Sequence, residues 1–240
     1  MSAPPEDADV ETASDGYARR FDSAAGRYML ARQMDATLMM LEGLDGASIV
    51  DVGGGHGQTA PALANREHAM TVLASAPEAV SASLRPHLDR GAIRLVTGPL
   101  REPPLVAEGF DVAMSYRLLA HANDLEGLIA ALTRLAKRAV IVDYATTRSF
   151  NAVADMMFAA KKGIEKNTRP FLVLRDADVA RLFAVYGFRP KGRVPQFFWP
   201  MALHRALDAP ALSRALEAGA AAFGLRALFG SPVIARFDRV

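Results

Sequence analysis

Cysteine is absent from the 240-residue chain, which excludes disulfides, thiolate nucleophiles, Cys-containing zinc sites and iron–sulfur clusters together. A chain of this kind fits a reducing compartment, and a cytoplasmic location is expected. Net charge is nearly absent too: 28 Lys+Arg stand against 26 Asp+Glu. Although the pI is about 9.0, that balance argues against nucleic acid as a partner. Long apolar runs are missing, the richest, 220–229, being broken by Gly224 and Arg226, so no transmembrane segment is expected. The first residues, Met1-Ser2-Ala3-Pro4-Pro5-Glu6-Asp7, are acidic where an export signal has a basic start and an apolar run, and none is expected. The five histidines, His56, His68, His87, His121 and His204, show no ligand spacing, and no metal is expected. Asn123, Asp124 and Asp143 are the only oxygen donors placed for magnesium, and read as caps or strand ends.

What is present is core material, with 51% of residues hydrophobic and 22% charged, the balance of a globular domain. Residues 1–15 carry acidic side chains and no large core former except Val10, and read as a mobile tail. From Tyr17 to Leu44 the apolar residues Phe21, Met29, Leu30, Met34, Leu38, Met39 and Leu41 recur at three- and four-residue steps, the spacing of an amphipathic helical cap. Short apolar runs follow at 48–52, 70–74, 93–97, 111–115 and 139–143, separated by helical or polar connections. Such alternation predicts a doubly wound α/β fold with a mostly parallel sheet covered on both faces. Further helices are expected at 152–164, 176–186 and 201–228, with extended segments at 188–198 and 232–237. Residues 16–240 form one domain on this reading, with lid segments at 146–174 and 200–231.

The most informative segment is Asp51-Val52-Gly53-Gly54-Gly55-His56-Gly57. Glycines directly after a strand permit a tight turn and bring backbone close to a ligand, so a nucleotide-like guest is expected. Gly55-His56-Gly57-Gln58-Thr59-Ala60 also matches a variant of the dinucleotide fingerprint. Asp51 separates the two cofactors, because a carboxylate before the glycines repels a pyrophosphate. S-adenosylmethionine has no phosphate and carries an ammonium and a sulfonium, for which Asp51 is a suitable partner.

With this D-x-G-x-G-x-G arrangement, the helical segment before the first strand and Ser115-Tyr116-Arg117-Leu118-Leu119-Ala120-His121 after the fourth, the sequence resembles the class I S-adenosylmethionine-dependent methyltransferases, those acting on small molecules and quinone precursors in particular. The resemblance implies a Rossmann-like seven-stranded sheet whose last strand, here 232–237, is antiparallel. It implies cofactor contacts from Asp51, Gly53 and Gly55, from Ser75 and Ala76 beyond the second strand, from Gly98, Pro99 and Leu100 beyond the third, from Ser115 and Tyr116, and from Tyr17 and Arg20 closing over the ligand. One departure concerns the ribose: the family has an acid at the end of the second strand, whereas this chain reads Leu73-Ala74-Ser75-Ala76-Pro77-Glu78. A serine hydroxyl grips two ribose hydroxyls less well than a carboxylate does, so Ser75→Asp is expected to tighten binding, the alternative being that Glu78 or a backbone group supplies the missing contact.

Methyl transfer from a sulfonium needs alignment, plus a base only when the nucleophile is protonated. His121 and Tyr144 are the catalytic candidates; their bland alternatives are a backbone-bonded histidine and a pocket wall. Met157, Lys161, Arg169 and Phe171 of the first lid suit a lipophilic acceptor with an acidic group, although Lys161 also reads as a solvated face paired with Glu165. Phe197-Phe198-Trp199 and the helix after it read as core, as a homodimer surface or as a peripheral membrane contact through 197–228. The expected function is metal-independent methylation of a small molecule, most naturally at an oxygen of a phenolic, quinone-like or acyl compound. The alternatives are a non-catalytic S-adenosylmethionine-binding protein and a nicotinamide-dependent oxidoreductase.

Overall fold

An apolar strand with no polar face is stable only when both its faces are covered, and the chain achieves this with one sheet between two helical layers. The computed structural model describes residues 9–10, 21–149 and 171–240. Its strands are β1 (Ser48–Val52), β2 (Ala69–Ala74), β3 (Ile93–Thr97), β4 (Phe110–Ser115), β5 (Ala136–Thr146), the two-residue β6 (Val173–Leu174), β7 (Phe188–Phe197) and β8 (Ser231–Arg239). The sheet runs β3-β2-β1-β4-β5-β8-β7, with β6 beside β5. β1 to β5 run parallel to one another, and β8 is antiparallel to both β5 and β7. The expected antiparallel last strand is therefore present, inserted between β5 and β7.

Strand alternation divides the core. Val50, Val52, Val140 and Val142 face one side, where Leu128, Ile129 and Leu132 of α4 (Leu125–Leu135) and Val179 and Phe183 of α5 (Asp176–Val185) cover them. Ile49, Val72, Met114 and Ile141 face the other side, against α1 (Ala24–Met40), α2 (Ala60–Ala64) and residues flanking α3 (Arg85–Asp89). Helix α1 begins where Ser23 Oγ accepts the Gly26 N–H at 3.0 Å, an N-cap that satisfies one of the first turn's orphan donors. Its start is later than the apolar spacing implied, and Met39, read as an inward position, is 52% exposed.

The helix expected over 201–228 divides into α6 (Met201–Leu207), α7 (Pro210–Ala222) and α8 (Leu225–Phe229). Pro210 lacks the N–H that a continuous helix requires, and Asp208 turns the chain at φ +41° while its carboxylate accepts the Ala25 N–H of α1 at 2.7 Å. Phe197 is a core residue, 1% exposed and packed on Tyr28 and Met29. Trp199 is tied down by a hydrogen bond from its indole N–H to Leu216 O at 3.3 Å. Among the described residues no helix is long and apolar enough to cross a membrane.

Candidate active site

The glycine loop begins at the carboxyl end of β1, where the Gly53 N–H donates to Leu73 O of β2 at 2.8 Å. Gly53 has φ +76°, and a Cβ there would lie 2.5 Å from Leu118, so both conformation and space require glycine. At Gly54 a Cβ would come within 2.3 Å of the Asp51 carboxyl. Gly55 faces elsewhere: its Cβ would meet the Ala79 carbonyl oxygen at 2.0 Å, and its own carbonyl accepts the Ser81 N–H at 2.8 Å. Gly55 thus packs the loop against the segment after β2, and Gly54, which sequence reasoning passed over, faces the cavity. Gly55→Ala is expected to cost about 1–3 kcal/mol, the scale of overpacking, read as a lower denaturation midpoint at unchanged slope.

Asp51, Gly53, Gly54, His56, Gln58, Thr59, Tyr116 and Arg117 line a small, open cavity. Burial pushes the Asp51 carboxyl up to about 7, only partly opposed by Arg117. Burial and the same arginine push His56 down to about 4, leaving a neutral imidazole at physiological pH. The Tyr116 hydroxyl shares a 2.7 Å hydrogen bond with Thr37 of α1, and burial raises its phenol pKa. Ser115 Oγ donates to Val52 O at 2.9 Å, a tie between β4 and β1.

Arg117 links this cavity to a second one. Its backbone is left-handed, at φ +64°, an uncommon state for a non-glycine residue, and its N–H donates to Asp143 Oδ1 at 2.5 Å. The guanidinium bonds Gln58 and lies over the Phe21 ring, 5.2 Å from its centroid. The second, larger cavity has an apolar wall including Phe21, Met29, Phe197 and Met201, and a polar one of Gln33, Arg117, Asp143, Gln196 and Arg205. Asp143 is buried, which pushes its carboxyl up to about 6.

The other sequence candidates are dispersed. Gly98 donates its N–H to Ala74 O at 3.0 Å, so the ends of β2 and β3 adjoin the glycine loop; Pro99 is exposed, Leu100 is buried in the core and Ala76 is half-buried. Ser75 donates both its N–H and its hydroxyl to Asp9, at 2.7 and 2.5 Å. Asp9, read from sequence as part of a mobile tail, is 1% exposed. His121 packs edge-on against Phe171, with ring centroids 5.5 Å apart, and Tyr144 donates its hydroxyl to Asp176 at 3.1 Å; neither lines the two cavities described. Tyr17, Arg20, Met157, Lys161 and Arg169 lie outside the described residues.

Asp124 caps α4 through Gly127 N at 2.9 Å and pairs with Arg101 at 2.8 Å. Among the described residues no three metal-ligating His, Asp or Glu side chains cluster. Arg117 and Asp143 were missed as cavity-lining residues because each has an ordinary local reading, as a loop cation and a strand end. Only their strand-end positions offered a signal.

Residues 50–142 match the family model described as a methyltransferase domain. No curated protein matches the chain. Among solved structures, a Thermotoga maritima S-adenosylmethionine-dependent methyltransferase, described as a possible histamine N-methyltransferase, is 17% identical with a TM-score of 0.63, over 94% of this chain and 95% of that one. The Synechocystis magnesium protoporphyrin IX methyltransferase, with S-adenosylhomocysteine bound, is 14% identical with a TM-score of 0.66, over 95% and 96%. A Burkholderia thailandensis 1,6-didemethyltoxoflavin-N1-methyltransferase is 15% identical with a TM-score of 0.62, over 96% and 85%. At these identities the neighbours establish the fold. Residues 50–142 are thus similar to a methyltransferase domain, and the chain has the fold of S-adenosylmethionine-dependent methyltransferases.

Proposed function

We propose that the chain methylates a small, largely apolar acceptor, a phenolic, quinone-like or acyl compound, at an oxygen atom and without a metal. The observation that carries this is the pair of cavities divided by Arg117, one built on Asp51 and the glycine loop and the other apolar with Asp143 in its wall. The residues of the first fit the methyl donor. A carboxyl raised to about 7 by burial regains its charge beside a cation, and the donor's ammonium is one, while Arg117 and loop N–H groups suit its carboxylate. When bound, S-adenosylmethionine supplies a methyl group already activated on a sulfonium. The neighbours named for protoporphyrin and didemethyltoxoflavin support a small molecule as acceptor.

The second cavity sets the acceptor's character. Its apolar wall excludes water and holds an apolar body, and Arg117 and Arg205 attract an anionic substituent. Asp143 has one carboxylate oxygen fixed by the Arg117 N–H and, at about 6, is ionised at neutral pH. It is therefore placed to orient an acceptor hydroxyl and take its proton, a role assigned here to Asp143 over His121 and Tyr144 because it lines the acceptor cavity. A homodimer or membrane contact through 197–228 would use the exposed Leu212, Phe223, Leu228 and Phe229, since Phe197 is spent in the core.

Calorimetric titration with S-adenosylmethionine, S-adenosylhomocysteine and NAD, followed by turnover on a phenol and quinol panel, tests the proposal. Donor binding with turnover is expected. NAD binding in preference to S-adenosylhomocysteine would return the oxidoreductase, and donor binding without turnover on any acceptor would favour a non-catalytic binder. Asp143→Asn is expected to lower turnover roughly 10²-fold, the scale of a lost general base, with little change in S-adenosylhomocysteine affinity. Because the base must be ionised, wild-type turnover is expected to fall below about pH 6. A larger loss in His121→Gln than in Asp143→Asn would move the role to the histidine.

A further inference from the structure

One face of the sheet carries two of the polar groups of the second cavity. Asp143 of β5 pairs with Ile234 of β8, and Ile234 with Val194 of β7, so these three side chains project from the same face. Gln196 lies two residues beyond Val194, on that face again and one row nearer the carboxyl ends of β5 and β7. At about 4.8 Å per strand and about 3.4 Å per residue, the α-carbons of Asp143 and Gln196 stand roughly 12 Å apart. Both residues line the cavity, beside its apolar wall of Phe21, Met29, Phe197 and Met201.

The polar groups of this cavity differ in what already holds them. Asp143 accepts the Arg117 N–H, and the Arg117 guanidinium bonds Gln58. The Gln33 amide donates to Thr59 Oγ1 at 3.4 Å. Gln196 is 3% exposed, yet its side-chain amide has no hydrogen-bond partner among the described residues. Leaving a buried amide unmet is costly, so its place in a cavity wall calls for a group that the cavity receives. Arg205, one helical turn after Met201 on α6, reaches the same cavity and has no hydrogen bond or ion pair among the described residues. An amide and a guanidinium side by side offer N–H donors and one positive charge. A carboxylate, with two acceptor oxygens and one negative charge, answers both, whereas a neutral carbonyl leaves the guanidinium charge unused.

The geometry points to an acceptor that carries a carboxylate across one ring from the hydroxyl that Asp143 receives, with Gln196 and Arg205 as the residues that read the carboxylate. This rests on the acceptor assignment above and narrows it to hydroxy-aromatic acids. The spacing agrees. Side chains standing perpendicular to a sheet keep the separation of their α-carbons at their tips. A benzene ring measures about 6–7 Å between the oxygens of para hydroxyl and carboxylate groups, and a hydrogen bond of about 2.8 Å at each end brings the span to roughly 12 Å. Selectivity follows from the same contacts, because a site with buried polar groups rejects a ligand that leaves them unpaired.

The test is calorimetric titration of the full chain, saturated with S-adenosylhomocysteine, with 4-hydroxybenzoate, 4-hydroxybenzamide and 4-methylphenol. Wild type is expected to bind the acid roughly 10- to 100-fold more tightly than the methylphenol, the scale of hydrogen bonds to a charged group. The benzamide should fall between them, since it meets Gln196 but not the charge of Arg205. Gln196→Met keeps the side-chain length and loses the amide, and is expected to lower the preference for the acid at least about fivefold. Arg205→Gln is expected to bring the acid level with the benzamide. Binding of S-adenosylhomocysteine by each variant shows that it folds. The comparison among ligands needs no variant: a wild type that binds the methylphenol as tightly as the acid, or binds none of the three, overturns the inference. A Gln196→Met protein that keeps the full preference also overturns it. Methylation of neutral phenols but not of the acid would overturn the inference and leave the proposed function standing, whereas absence of turnover on every phenol and quinol would end both.

Discussion

Asp51→Asn is expected to weaken S-adenosylhomocysteine binding by about 10- to 100-fold, the value of a charge-assisted contact to the ligand's ammonium, and to stabilise the ligand-free protein at pH 8. Both effects come from one carboxyl that burial raises from 3.8 to about 7. Between those values the folded protein holds a proton that the unfolded chain has released, so stability falls as pH rises from about 4 to about 7 and levels off above. At about 1.4 kcal/mol per pH unit the penalty reaches roughly 4 kcal/mol. Asparagine carries no charge and removes it. Binding has the opposite sign: below about pH 7 the ligand must first ionise the carboxyl, so wild-type affinity is expected to climb up to tenfold per pH unit and flatten above. Calorimetry between pH 5.5 and 8 measures the profile. An affinity independent of pH, or an Asp51→Asn variant no more stable than wild type at pH 8, would remove Asp51 as the ammonium partner.

A site that holds a charge at such expense is typical of binding machinery, where the ligand restores what folding gave up. Asp143, raised to about 6, repeats the pattern in the second cavity. Arg117 stands against both carboxylates, and removing its guanidinium should raise both pKa values together.

The sheet was legible in the sequence because its strands are short, apolar and bounded by turn residues. Ser48–Val52 and Ile93–Thr97 fall where the composition put them, and the glycine loop marked the end of β1. What the sequence concealed depends on contacts between distant residues. Asp9 reads as a tail acid until Ser75, 66 residues on, is placed against it. Asp143 reads as a polar residue in an apolar strand, and only the packing of α1 and β7 beside it makes a cavity wall. Gly55 belongs to the glycine motif yet serves the Ala79 backbone, since a motif records which positions lack side chains and not what occupies the space. His121, beyond the end of β4, packs against Phe171, a contact between two residues that the sequence separates by fifty positions.

The largest stability effect is expected at Glu217, in a region that sequence reading treated as lid. His204 on α6 bonds Ser213 Oγ through Nδ1 at 2.9 Å and Glu217 Oε1 through Nε2 at 3.1 Å. Ser213 and Glu217 stand four residues apart on one face of α7. Glu217 also accepts the backbone N–H groups of Phe198 and Trp199 at about 3.0 Å. All three side chains are buried, so this Ser–His–Glu arrangement lacks the substrate access that nucleophilic catalysis requires. Its effect is structural: one carboxylate holds the end of β7, and with it Phe197 and Met201 of the second cavity, against α6 and α7. Glu217→Ala leaves a ring nitrogen and two backbone N–H groups in a dry interior without their acceptor, which costs about 3–5 kcal/mol. Glu217→Gln keeps the volume and one carbonyl acceptor and should lose less than half of that. Ser213→Ala removes a single neutral hydrogen bond, worth about 1 kcal/mol. Guanidinium denaturation at constant slope measures the series. Because the network braces the acceptor wall and touches neither cavity's polar groups, Glu217→Gln should raise KM for the acceptor while S-adenosylhomocysteine affinity stays within about twofold. A Glu217→Ala protein as stable as wild type would show that α6 and α7 are held by their apolar contacts alone.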